Sequence, residues 1–349
     1  MRLLLVIVFL PVFVFAQSAV ITAFPSLQIP TSSRGLAMGS TGIASATENQ
    51  QLFYNAAKTA FLQNFHQASV SYVPWMRSVS SDTRHLSLGY VANVFNTSAI
   101  GLRVGYLDLG RIAVRDNNGA TLAEYKAREY NVGASYALQL NERASVSVAM
   151  CLLGQTAFTD GPKNVMSFCG DVSYYQFTEL GDVNRRIEWG ASLSNVGPKI
   201  NYGSDKTSLP MDLGVGIGYS GVDEDGSVFA AGLDLHKLLV PSESSDKGIL
   251  AGMMASFREP GQLGLLRVNA GMEYGYLGEF FLRGGVSIEN KNRGNRTFFG
   301  LGVGYKGFVL DQSWGIDFHY LVPFGTVAAV SPFGNSFGFT LKVNFGNFQ

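Results

Sequence analysis

The chain has 349 residues, with 26 basic and 26 acidic side chains and a formal net charge of zero, so no electrostatic argument favours nucleic acid or an anionic surface as a partner. Charged residues are only 15% of the total, hydrophobic residues 46% and aromatic residues 12%, and glycine occurs 41 times; this is not the composition of a soluble secreted enzyme. Two cysteines are too few for a disulfide framework, although an oxidising compartment allows one bond.

At the N-terminus, Arg2 supplies a short positive region and residues 3–15 form an unbroken apolar run. Val14 and Ala16 then place small residues before a cleavage site. The pattern predicts a secretory signal peptide over residues 1–16, with Gln17 starting the mature chain. Beyond it no run approaches the ~18 apolar residues of a spanning helix.

Residues 17–65 lack strand alternation and are too long for a turn. They end in "LFYNAAKTAF", residues 52–61, an alanine-rich stretch with helical spacing in a chain otherwise patterned as strands.

From residue 66 onward the chain alternates. Val132, Ala134, Tyr136, Leu138 and Leu140 interleave with Asn131, Gly133, Ser135, Ala137 and Gln139. Phe337, Phe339, Leu341, Val343 and Phe345 interleave with Ser336, Gly338, Thr340, Lys342 and Asn344. Strand side chains point alternately to opposite faces, so such a segment separates lipid from a wet interior. The polar face carries Arg103, Arg267, Arg283, Glu273 and Asp317, which suits a wet lumen and not the dry core of a sandwich.

Fifteen segments are candidate strands, at 66–74, 83–94, 97–108, 127–140, 143–155, 166–178, 185–196, 211–221, 225–237, 247–258, 264–277, 279–290, 296–306, 312–322 and 335–346. Bacterial single-chain barrels have an even number. The weakest candidate is 247–258, where Ile249, Leu250, Met253, Met254 and Phe257 follow a helical stripe. Read as a helix in a long loop, it leaves fourteen strands joined by alternating short and long connections. The expectation is an all-β transmembrane barrel of about 14 antiparallel strands, 66–349, with residues 17–65 as an N-terminal lumenal hatch. A barrel of this size is wider than its own side chains fill. Leu52, Phe53 and Phe61 are expected to pack the hatch.

No catalytic, metal or cofactor site is expected. "GVGYKG", residues 302–307, satisfies G-x-G-x-x-G, but strand alternation runs through it and no helix follows. His66, His85, His236 and His319 have no metal-ligand spacing, and "NTS" at Asn96 reads as a turn. Cys151 and Cys169 both face inward on neighbouring strands, equidistant from the loop between them. Either a cross-strand disulfide or two free thiols fits. In "SYVPWMRSV", Trp75, Met76 and Arg77 end the first strand, as an interfacial girdle or as an exposed binding cluster.

These residues, together with "SSRGLAMGSTGIASATENQQLFYNAAKTAF", "SNVGPKINY", "SLPMDLGVGIGYS" and "LRGGVSIENKNRGNRTFFGLGVGYK", resemble the PorV family, outer-membrane barrels of the type IX secretion system with a FadL-like fold. The resemblance implies a fourteen-stranded barrel with a hatch in the bacterial outer membrane. It implies no enzymatic activity, and a role in binding the C-terminal domain of exported cargo beside a large translocon barrel. The cargo would then pass to proteins of a surface attachment complex. Outer loops at 74–81, 110–126, 158–166, 197–210, 241–262 and 323–335 are the expected gripping segments, with Phe324, Val327 and Phe333 exposed on the last. The alternatives are a FadL-like importer of hydrophobic small molecules and a PorQ-like paralogue. Where FadL-like hatches often carry Asn-Pro-Ala, this chain has Asn55, Ala56 and Ala57, so the local turn lacks its proline.

Overall fold

The computed structural model describes residues 20–347, apart from 46–48, 63, 77–81, 117, 159–161, 182–183, 204–205, 241–247, 260, 291–292, 311, 326–330 and 335. The expected signal peptide, Arg77 and Val327 lie outside the described residues.

Seven strands come first: β1 (Asn64–Pro74), β2 (Arg84–Val94), β3 (Ser98–Arg115), β4 (Thr121–Asn141), β5 (Ala144–Phe158), β6 (Pro162–Glu179) and β7 (Arg185–Val196). Two-residue strands β8 (Ile200–Asn201) and β9 (Lys206–Thr207) form a small hairpin in the loop that follows. Then come β10 (Asp212–Val222), β11 (Val228–Leu238), β12 (Leu266–Tyr276), β13 (Phe280–Glu289), β14 (Phe298–Val309), β15 (Gln312–Pro323) and β16 (Phe337–Asn347). Leaving out β8 and β9, fourteen strands close into a barrel in which each pairs antiparallel with its chain neighbours and β1 pairs with β16. The stripe at 247–258 is helix α2 (Ile249–Ala255), in the loop before β12. Among the described residues no helix is long and apolar enough to cross a membrane; the strands do so instead.

The alternation sorts as the period of two requires. Val132, Tyr136 and Leu138 on β4 and Phe337, Leu341 and Val343 on β16 are exposed on the outer wall. Their neighbours Asn131, Ser135, Ala137 and Thr340 are buried toward the lumen. Short turns such as Phe95–Asn96, both at positive φ, join the strand ends nearest the two barrel termini. Those ends are the periplasmic side, and the longer connections lie outside.

Two outer connections are not loops over their expected length. β3 and β4 run on as a hairpin to Arg115 and Thr121, through a bulge between Asp108 and Arg111. There Gly110 sits at φ 76° and its N–H donates to Asp108 Oδ1 at 3.0 Å, as a glycine bulge requires. β5 and β6 likewise extend to Phe158 and Pro162. Above the bilayer both faces of a hairpin meet water, so the apolar alternation that marks a spanning strand fades. That is why sequence reading stopped these strands early.

The described residues between 20 and 62 run inside the barrel as short pieces: 3-10 turns at Pro25–Gln28, Asn49–Phe53 and Ala56–Phe61, and the five-residue helix α1 (Ser33–Ala37). Ser32 caps α1 by accepting from the Gly35 N–H at 2.8 Å, a standard N-cap role for serine.

Candidate functional site: a stitched lumen and a closed outer rim

The inner segment approaches the wall closely because the wall has no side chains there. A Cβ on Gly271, Gly285 or Gly300 would overlap backbone atoms of Met38 and Leu36, and one on Gly190 would overlap Ile43 O. The inward glycines of "GVGYKG" belong to the same surface, since Gly302 faces Ala37. Glycine is what lets two backbones come this near.

Charge then locks the contact. Arg34 on α1 donates from Nε and Nη2 to the two oxygens of Glu273 at 2.8 and 3.0 Å. Arg283 also binds Glu273, and it reaches Asp317 at 2.7 Å, which Lys342 contacts at 2.5 Å. Here three cations share two carboxylates, all but Lys342 deeply buried. Further along, Asp234 on β11 accepts the N–H groups of Gly42 and Ile43 at 2.7 and 3.0 Å. The inward charges were legible in the sequence, but their partner Arg34 was not. The available signal was that Arg34 and Lys58 are the only basic residues between 20 and 62.

The four hatch positions singled out from sequence all pack. Leu52 joins Leu62, Val91 and Ala99, with Phe53 against them. Phe61 lies on Tyr175 and Phe177, with ring centroids 5.8 and 5.3 Å apart. Asn55 replaces the missing proline by capping. Its Oδ1 accepts from the Ala57 N–H at 3.1 Å, while Nδ2 donates to Ile43 O at 2.8 Å and to Tyr174 O at 2.9 Å. Lys58 donates to Gly42 O at 3.1 Å and to Ser45 O, tying the segment to itself. Toward the periplasmic end, Ser145 and Gln139 donate to Ala57 O and Ala60 O at 2.7 and 2.6 Å.

The same segment also reaches the outer mouth. The Ser26 N–H donates to Glu129 at 3.0 Å and the Ala23 N–H to Ser208 O at 2.9 Å. Phe24 is fully buried among Leu153, Ile200 and Leu209. In that loop Tyr202 donates to Gln155 at 2.6 Å, and burial, chiefly, pushes its phenol up to about 12.

Trp75 and Phe333 depart from expectation. Trp75 is only 6% exposed and Phe333 2%. They meet edge to face at 5.1 Å, Phe333 lies 4.8 Å from Phe298, and Ile29, Leu36 and Leu321 complete the cluster. The Met76 N–H donates to Pro332 O at 2.8 Å, and Met76 packs against the cluster. These residues therefore fasten the first and last outer loops over the inner segment, as neither a girdle nor an exposed patch. Burying the apolar side of a loop outweighed displaying it. Phe324 is half-buried, stacked at 4.2 Å on the exposed Phe299. The belt tryptophans are Trp189 and Trp314, both exposed near the periplasmic strand ends, where Trp314 meets Tyr305 at 5.4 Å.

Cys151 and Cys169 are directly opposite in register and buried, and both are free thiols. Among the described residues no group of His, Cys, Asp and Glu is arranged to hold a metal.

A protein-family model described as "Type IX secretion system protein PorV" matches residues 14–245. No curated protein matches the chain in sequence. Among solved structures, the chain is similar to the "CymD monoaromatic hydrocarbon channel", with a TM-score of 0.54 at 12% identity over 91% of this chain and 98% of that one. It is also similar to the P. putida toluene transporter TodX, with a TM-score of 0.52 at 11% identity over 91% and 99%. At such identities the likeness is one of fold, the FadL-like outer-membrane barrel expected from the sequence.

Proposed function

Because the chain belongs to the PorV family of type IX secretion proteins, we propose that this outer-membrane barrel receives the C-terminal domain of exported cargo at a large translocon barrel and passes it to the surface attachment complex. It does so with its outer rim, and the lumen conducts nothing. The observation that carries this reading is the stitching of residues 20–62 to the wall from the outer mouth, at Glu129 and Ser208, to the periplasmic end, at Ser145 and Gln139. Among the described residues the main inner cavity is about 120 Å³, far below the ~300–1,000 Å³ of ordinary ligand pockets. The work is then left to the surfaces outside, the long β3–β4 and β5–β6 hairpins and the loop carrying α2. On α2 and just beyond it, Leu250, Met254 and Phe257 are exposed, an apolar display of the kind that marks interaction sites.

Import of a hydrophobic small molecule is the competing reading, favoured by the shared fold of the two hydrocarbon channels. It requires a continuous apolar path. The residual cavity places Arg103, Asp171, Asp212, His236 and Arg293 beside Leu27, Ile29, Ile43, Leu52 and Phe53, so charged groups interrupt an apolar path and disfavour an apolar passenger. Affinity purification from outer membranes separates the two readings. Recovery of a very large barrel or of cargo C-terminal domains is the expected result. Copurified fatty acid or hydrocarbon without a protein partner would overturn it.

A further inference from the structure

Around the residual cavity one arginine stands outside the ion pairs. Arg293 is held by Asp212 at 2.6 Å and Glu289 at 3.1 Å. Arg296 binds both oxygens of Glu289 at 2.8 Å. His236 Nδ1 lies 2.6 Å from the second oxygen of Asp212. Two carboxylates are thus consumed by two arginines and a histidine. The third arginine is Arg267 on β12, whose register neighbours are His236 and Glu289. It lines the cavity together with Gln28, Ser40 and Gly214. Among the described residues its guanidinium has no hydrogen-bond or ion-pair partner; the residue is half-buried, and its Nε is fully enclosed.

A guanidinium is always charged, and burying an ion without a partner costs many kcal/mol, so buried charges are paired. Solvation by enclosed water would ease the cost but leave the charge of Arg267 in place. An anion cancels it. The planar fork of Arg267 suits a group presenting two oxygens, because arginine binds carboxylates and phosphates through two parallel hydrogen bonds. The space also suits one. A single water needs only about 10–15 Å³ of such volume, against the 120 Å³ present.

We propose that the lumen holds a resident oxyanion, a carboxylate or a phosphate, on Arg267, and that this anion completes the contact between residues 28–40 and the wall at β10–β13. The shared chemistry is the two-oxygen group, carried either by a free small anion or by the head of an amphiphile. The proposal does not depend on the secretion role.

The test uses the mature chain folded into detergent in chloride-free buffer whose own anion is too bulky for the cavity. Urea unfolding, followed by tryptophan fluorescence, is measured against increasing acetate, inorganic phosphate and octanoate. The midpoint of the natural chain should rise with these anions. Arg267→Gln should lose the response, with apparent affinity down roughly tenfold or more, and Arg267→Lys should keep part of it. Octanoate acting far below the acetate concentration identifies an amphiphile head; equal potency identifies a free anion. A midpoint rise that is the same in the natural chain and Arg267→Gln, or no rise in either, overturns the proposal. Folding and crystallising the natural chain with selenate gives a readout that needs no variant. An anomalous selenium peak on the Arg267 fork supports the site, and ordered water alone there overturns it.

Discussion

Glu273→Gln is the substitution that most directly probes how the inner segment is held. In the natural chain Arg34 and Arg283 both bind Glu273, and Arg283 also reaches Asp317. Removing the Glu273 charge takes from Arg34 and Arg283 their common partner in a site almost without solvent. Breaking a buried pair by deleting one member costs about 3–5 kcal/mol. Arg34→Met deletes the other member but leaves Glu273 still paired with Arg283. Its cost should therefore be that of lost hydrogen bonds to a charged group, about 1–3 kcal/mol. The expected order is thus Glu273→Gln well below Arg34→Met, although both remove the same contact. Urea midpoints in detergent give the order, and conductance in planar bilayers reports whether the segment has loosened, with Glu273→Gln opening the larger current. Equal destabilisation, or Arg34→Met the worse, would refute the sharing of Glu273 by two arginines as the cause and leave simple contact loss as the explanation.

Four further outcomes follow from the packing. Gly285→Ala places a Cβ on the Met38 backbone, which no side-chain rotation relieves. It should cost about 1–3 kcal/mol and raise conductance, whereas its neighbour Gly284→Ala, which meets open space, should stay within about 0.5 kcal/mol. Asn55→Ala forfeits the cap, the bond to Ile43 O and the wall bond to Tyr174 O, and should lose about 1–2 kcal/mol. Ala56→Pro, in contrast, should be neutral or gain about 0.4–1 kcal/mol, because Asn55 is already extended (φ −152°, ψ 95°) and Ala56 opens the 3-10 turn, the first helical position, where proline fits; a large loss by urea titration would contradict this account of the turn. Phe333→Ala removes the ring between Trp75 and Phe298 and should cost about 3–5 kcal/mol, with new protease cleavage near the last outer loop. An unchanged digestion pattern would mean that the loops are fastened elsewhere.

Much of the fold was readable because its signals are local. Alternation along one strand assigns the lipid and lumen faces, and parity with the helical stripe at 249–257 leaves fourteen spanning strands. Tight turns against long connections orient the barrel. The hatch residues Leu52, Phe53 and Phe61 stood out by contrast with the strands around them. The inward-facing charges and the opposed cysteines were legible for the same reason, since period two assigns every residue a side.

What lay beyond the sequence was pairing across the lumen. Ser33 donates its N–H to Thr340 at 2.9 Å, 307 residues away, and Arg34 reaches Glu273 across 239. Which inward groups meet depends on barrel closure and on the path of a segment with no period of its own. Trp75 and Phe333 show the consequence. Each by itself reads as an exposed aromatic, and only the return of the last loop over the first turns them into a buried pair. Local periodicity determined the wall, its two faces and its strand number; tertiary structure decided what fills the barrel and which loops close it, because those contacts join residues that no window along the chain contains.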